Sequence, residues 1–249
     1  MDFFIIFIFG LIIGSFLNVC INRIPRGESI VFPPSRCEAC NTYLKPFDLV
    51  PVASFLLLKG KCRYCGDKLS WRYPMLELFT GFLFALVYQV IGFGISIIPY
   101  LFLTSLLLII SFIDIDHYRI PDPLIIIGLG AGIAFQIFIP FQPLINALLG
   151  FFTGGGILFL IALLSRGGMG GGDIKLGALI GLFLGWKLML LSLFLAAFLA
   201  STAGICLMIL KKKSRKDAIP FGPFLSLAAF ISLLRGNYLI SWYIIYFVR

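Results

Sequence analysis

Stretches of about twenty uncharged, apolar residues recur along almost the whole chain, each long enough to cross the ~30 Å hydrocarbon core of a bilayer as a helix. In hydrocarbon every backbone polar group must be satisfied within the span, which favours helices. Spans are expected from Met1 to about Asn22 and at roughly 74–93, 95–115, 122–140, 143–165, 174–186, 188–210 and 222–247, with Pro99, Pro121, Pro123, Pro140, Pro143 and Pro220 near several boundaries. Asp2, and the lack of a small-x-small cleavage site after the first run, argue for a retained helix rather than a signal peptide. The sixth run is short and bounded by glycine. Arg235-Gly236-Asn237 interrupts the last, which reads as one bent helix or as a helix followed by an interfacial segment. Composition agrees: 60% of the residues are hydrophobic, 12% are charged, and the mean hydropathy is +1.05. A soluble domain carries about 25% charged residues, so a soluble enzyme, a disordered tail and a secreted disulfide scaffold are all excluded. The expected fold is all-α, a polytopic membrane protein with about eight transmembrane helices.

Twenty Lys and Arg against eleven Asp and Glu give a net charge of +9. Their placement sets topology rather than a nucleic-acid surface, because they fall between the apolar runs. Nine lie in 23–73, followed by Arg119, then Arg166 with Lys175, then Lys211, Lys212, Lys213, Arg215 and Lys216. With eight spans all of these share one face, leaving Lys187, Arg235 and Arg249 on the other. The positive-inside rule therefore puts 23–73, 116–121, 166–173 and 211–219 in the cytoplasm and both termini outside it. The Lys211–Lys216 cluster reads as an anchor to anionic membrane lipid. No nucleic-acid partner is expected.

The sizeable polar stretch, about 50 residues after the first span, is near the lower limit for folding without a staple. Cys37-x-x-Cys40 and Cys62-x-x-Cys65 supply one, with Gly66 placed for a tight turn. Four thiolates at this spacing can close a tetrahedral zinc site, and a reducing cytoplasm disfavours two disulfides. Such a site has no open coordination position, so the metal is expected to hold the loop and not to do chemistry. Cys20 and Cys206, alone in apolar runs, read as small buried hydrophobes.

Asp2, Glu28, Glu38, Asp48, Asp67 and Asp217 fall in water on this topology, whereas Glu77, Asp114, Asp116, Asp122 and Asp173 lie in or against spans. A carboxylate deep in the bilayer costs roughly 2.5–3.5 kcal/mol on insertion scales, which marks these five for function. Asp122, in Ile120-Pro121-Asp122-Pro123, reads as a helix N-cap with Pro at the first helical position. Asp116 reads as solvated or paired with arginine, and Glu77, in the first turn of its span, as equally structural or functional. His117, the only histidine, reads as a surface or capping residue. Asp114 closes the third span, where the helix dipole disfavours an anion; Arg119 is a candidate partner. Asp173 follows Gly167-Gly168-Met169-Gly170-Gly171-Gly172, which fits neither a dinucleotide-binding turn nor a P-loop. Both Asp114 and Asp173 are expected at the cytoplasmic face. Two carboxylates at one depth can share a proton, one activating water and the other polarising a carbonyl. The dipoles favour Asp173 as the ionised member. The competing class is an ion- or proton-coupled membrane transporter using the same acids; their position at one face rather than the midplane speaks against it.

Gly14-Ser15-Phe16-Leu17-Asn18-Val19, Arg23-Ile24-Pro25, the paired Cys hooks, Arg72-Tyr73-Pro74 with Glu77, Ile113-Asp114-Ile115-Asp116-His117 through Ile120-Pro121-Asp122, Gly170-Gly171-Gly172-Asp173-Ile174-Lys175 and Pro220-Phe221-Gly222-Pro223 occur in that order. This ordered set resembles the bacterial type IV prepilin peptidases, bifunctional leader peptidases and N-methyltransferases, from about Gly14 to Pro223. The resemblance implies a multi-pass aspartic endopeptidase of the bacterial inner membrane. It would remove basic leaders from prepilins or pseudopilins and methylate the new N-terminus with S-adenosylmethionine. It implies Asp114 and Asp173 as catalytic, with Glu77, Gly172 and Lys175 as candidate supporting residues and Cys37, Cys40, Cys62 and Cys65 as zinc ligands. The organisation expected is a first transmembrane helix (1–22), a four-cysteine zinc-binding loop domain (23–73) and a transmembrane aspartic peptidase core (74–249).

Overall fold

The computed structural model describes residues 2–165, 168–210 and 219–248. Arg166, Gly167, the Lys211–Lys216 cluster and Asp217 lie outside the described residues. Within them, helices are the regular structure, apart from two isolated bridges, Arg36 to Tyr43 and Lys61 to Lys68. The chain divides into two compact units, Met1–Ile97 and Ile98–Arg249.

In the first unit α1 (Asp2–Arg23) pairs with α3 (Arg72–Ile91), and between them the chain forms the cysteine loop and the short α2 (Ala53–Leu57). Small residues set the crossing of the two long helices. A Cβ added at Gly10 would stand 2.7 Å from Cα of Gly81, and one at Gly14 would stand 2.8 Å from Cα of Glu77. In hydrocarbon, where burying Leu against Leu gains little over Leu against lipid, such close backbone approach is what holds helices together.

The second unit contains α4 (Ile98–His117), α5 (Asp122–Phe138), α6 (Leu144–Leu164), α7 (Gly171–Ile209) and α8 (Gly222–Tyr243). α6 and α7 meet through a four-glycine contact, in which a Cβ at Gly150 would strike the carbonyl of Gly181 and one at Gly154 that of Gly177. The first half of α7 is buried from Leu176 to Gly185 and forms the centre of this unit. The helix breaks at Gly185, whose φ of 77° and ψ of 169° lie outside the helical region. The break frees carbonyls of the preceding turn; the Gln142 side chain takes up that of Leu182 at 2.6 Å, and Asn146 in turn donates to Gln142 Oε1 at 2.9 Å.

Six helices among the described residues are long and apolar enough to cross a membrane: Asp2–Arg26, Arg72–Ile91, Ile95–His117, Leu144–Leu164, Gly171–Ile209 and Gly222–Tyr246. Length and apolarity single out these six, while all eight expected runs are helical: at 17 residues α5 is the short one, and the sixth and seventh are two helices that meet at the kink at Gly185 within the 39 residues of α7. Arg235-Gly236-Asn237 does not interrupt α8, which continues into a π-helical turn at Ile244–Val248. Cys20 is buried as expected, but Cys206 is exposed.

Candidate functional site

In the second unit Asp114 and Asp173 line one cavity of about 710 Å³, together with Tyr118, Arg119, Ile120, Asp122, Lys175 and residues 168–172 and 219–221. Each acid arrives by a different route. Asp114 sits in the last turn of α4 and is 5% exposed. The helix ends just beyond it: the amide of Tyr118 still donates to the Asp114 carbonyl at 2.9 Å, while Tyr118 takes a left-handed φ of 54° that turns the chain away. Asp173 occupies the third helical position of α7, after an extended N-cap at Gly170, whose carbonyl accepts the Asp173 amide at 3.1 Å. Its Oδ1 is buried with no hydrogen-bond partner among the described residues. The two carboxylates are near enough to interact electrostatically.

A third helix completes the arrangement. Gly222 opens α8, and its amide donates to Oδ2 of Asp114 at 3.1 Å. The first amides of a helix have no partner within it and carry the positive end of its dipole. Asp114 thus satisfies an orphan donor of α8, whose N-terminus offsets the unfavourable dipole that the acid meets in the last turn of α4. Ile120 is the common neighbour: a Cβ at Gly172 would stand 2.9 Å from its Cβ, and one at Gly222 3.3 Å from its Cδ1. It lies between the starts of α7 and α8 and so spaces the elements that bear or hold the two acids.

The candidate supporting residues divide. Gly172 is at this cavity, where only the missing side chain admits Ile120. Lys175 is also there, its Nζ 2.7 Å from Oδ1 of Asp122 across an exposed ion pair. That pairing replaces the expected N-cap role of Asp122. Pro121 is the N-cap of α5, Asp122 is its first helical residue, and no side-chain cap is made. Glu77 belongs to the first unit, buried in α3, with its Oε2 accepting the amide of Val52 at 2.8 Å.

The four loop cysteines form the second chemical feature. Sγ atoms of Cys37, Cys40, Cys62 and Cys65 all lie within 4.8 Å of one another, with Cys37 and Cys65 at 3.9 Å. Zn–S bonds of ~2.3 Å at tetrahedral angles require S···S separations of about 3.8 Å, so the donor set fits the metal. Two copies of one turn build the set. The Asn41 amide donates to the Cys37 carbonyl at 2.9 Å, and the Gly66 amide to that of Cys62 at 3.0 Å. Asn41 (φ 56°) stands where the second hook has Gly66 (φ 75°), a substitution that the left-handed region tolerates. Hydrogen bonding to Thr42 brings the Cys40 thiol down to about 6.

Asp48 corrects the expectation of a solvated acid. Its side chain is 3% exposed and takes Nε of Arg63 at 2.7 Å, the hydroxyl of Tyr64 at 2.8 Å and the amide of Lys45 at 3.1 Å. Desolvation works against its ionisation, but these three donors outweigh it and hold the carboxyl below the usual range. This network pins the stretch before α2 to the second cysteine hook.

Comparison with known proteins adds the family. Residues 101–205 match the type IV leader peptidase family, and residues 8–91 match the bacterial peptidase A24 N-terminal domain. A Bacillus subtilis protein named prepilin leader peptidase/N-methyltransferase is 37% identical over 240 residues, 96% of this chain and 97% of its own length. The chain belongs to the type IV leader peptidase family. Proteins of the same name from Aeromonas salmonicida (33% identical; 97% of this chain, 94% of theirs) and Pseudomonas aeruginosa (32%; 94% and 91%) extend the likeness. No solved structure matches the chain.

Proposed function

We propose that this protein cleaves the leader of prepilins or pseudopilins at the cytoplasmic face of the bacterial inner membrane, using Asp114 and Asp173 as an aspartic dyad. The observation that carries this reading is the convergence of the two acids, 59 positions apart in sequence, on one cavity at the ends of apolar helices. The names of the full-length relatives support the substrate class. In the reaction one carboxylate takes a proton from a water molecule as that water attacks the scissile carbonyl. The other, protonated, gives its proton to the carbonyl oxygen, so the dyad holds one proton before and after the step. The Gly222 amide serves negative charge on Asp114. The buried Oδ1 of Asp173, with no hydrogen-bond partner among the described residues, leaves one acceptor unused by the fold.

The new N-terminus is then methylated, with S-adenosylmethionine as donor. Residues 23–73 act as the metal-binding loop domain, in which Cys37, Cys40, Cys62 and Cys65 would hold zinc. The bound ion would supply structure, cross-linking two hooks in a segment with little apolar core. The topology is multi-pass with both termini outside the cytoplasm. Incubating the purified protein in lipid with a prepilin bearing a basic leader, and reading product masses, tests both activities. A shortened product carrying one added methyl when the donor is present is the expected result; uncut prepilin would refute the reading.

A further inference from the structure

We propose that the cysteine-loop region carries an apolar collar that lies in the lipid interface around the ends of α1 and α3. Two separate segments of the loop are tied back to the membrane-spanning helices, and both expose large apolar side chains there. The first is Ile30–Phe32. Arg23, the last residue of α1, donates from its guanidinium to the carbonyls of Ser29 at 2.9 Å, Pro33 at 2.8 Å and Pro34 at 3.4 Å. An arginine side chain therefore holds both ends of this segment at the level where α1 leaves its apolar stretch, yet Val31 is 82% and Phe32 74% exposed.

The second segment is α2 with its approach. Glu77 binds the amide of Val52, whose φ of 61° is one that β-branched residues rarely adopt. Glu77 stands five residues beyond Arg72, the first residue of α3, or about 8 Å along the axis at ~1.5 Å per residue. The start of α2 is thus held beside a point within the apolar helix rather than out beyond its end. From there Val50, Leu56 and Leu57 are exposed, Leu57 at 82%.

The charge around the first segment fits a lipid surface rather than a protein of unstated kind. Arg23, Arg26 and Arg36 flank Ile30–Phe32 against a single acid, Glu28. Apolar side chains set among basic ones, continuous with helices already in the bilayer, match the chemistry of an interfacial segment on anionic lipid.

The test uses the full chain reconstituted into vesicles of phosphatidylglycerol and phosphatidylcholine. Phe32→Trp and Leu57→Trp each add one indole at an exposed position, and Asp67→Trp provides a reference on the second cysteine hook. Emission added at positions 32 and 57 is expected to be blue-shifted and shielded from aqueous acrylamide relative to position 67. It should also be lost to lipids brominated near the acyl carbonyl more than to lipids brominated at the chain end. Emission open to acrylamide and indifferent to bromine would overturn the proposal. So would shielding from acrylamide without bromine quenching, which would mean that protein rather than lipid covers the segment.

Discussion

The amide of Gly222 and the carboxylate of Asp114, 108 residues apart in sequence, are joined by a buried hydrogen bond of 3.1 Å. Through it the start of α8 fixes the rotamer of an acid that α4 delivers. The same glycine leaves no room for a side chain, since a Cβ there would stand 2.7 Å from Oδ2 of Asp114.

Gly222→Ala is therefore expected to displace the carboxylate without removing it. A misplacement near 1 Å can cost on the order of a hundredfold in rate. Cleavage assays should show a fall in kcat of about that order with KM little changed, while the helical circular dichroism of the variant stays that of the parent.

Gly154→Ala and Gly156→Ala should differ in sign. In an open helix interior Gly→Ala gains roughly 0.5–1 kcal/mol, and a Cβ at Gly156 meets nothing within 4 Å. At Gly154 it strikes the Gly177 carbonyl and must push α6 from α7. Thermal unfolding in detergent is expected to rise or hold for Gly156→Ala and to fall for Gly154→Ala.

What can be read from the sequence follows how each feature is encoded. Asp114 and Asp173 stand out because a carboxylate in an apolar run is costly wherever it points, and the Cys hooks because their spacing alone closes a site. Gly222 and Ile120 are visible in the sequence only as parts of motifs. Their roles depend on which helix ends meet, and no periodicity carries that. Asn41 gives a recognisable signal in retrospect, since it follows its hook at the same offset as Gly66. The cap expected of Asp122 falls instead to Pro121, which can itself hold the extended N-cap backbone and leaves Asp122 free for Lys175. The apolar pattern puts the break in α7 close to Lys187, and its actual place, Gly185, is where a positive φ is cheapest.

Removal of the metal should loosen the loop without dissolving the helices. Elemental analysis is expected to find one zinc per chain, and Cys37→Ser or a strong chelator should release it and open residues 23–73 to protease. Because thiolates must be unprotonated to bind, acid should release zinc as well. A chain that stays protease-resistant and zinc-free would count against a structural metal.

Asp48 predicts a second acid response. Its carboxyl is held below the usual range when folded, so its contribution is present above the unfolded value of about 3.9 and is lost as pH falls through the folded one. Asp48→Asn should lower the resistance of the loop to protease at neutral pH and flatten its dependence on pH in the acid range. An unchanged acid profile would mean that the Arg63 and Tyr64 contacts do not hold the loop.

The proposal that Asp114 and Asp173 share a proton is tested most directly by cleavage rates of Asp114→Asn, Asp173→Asn and the double variant, purified in lipid with one prepilin substrate. Residues that act as a unit lose activity together rather than additively. Either single variant is expected to be inactive, and the double variant no worse than the singles. Cleavage at the parent rate by either single variant would contradict the account.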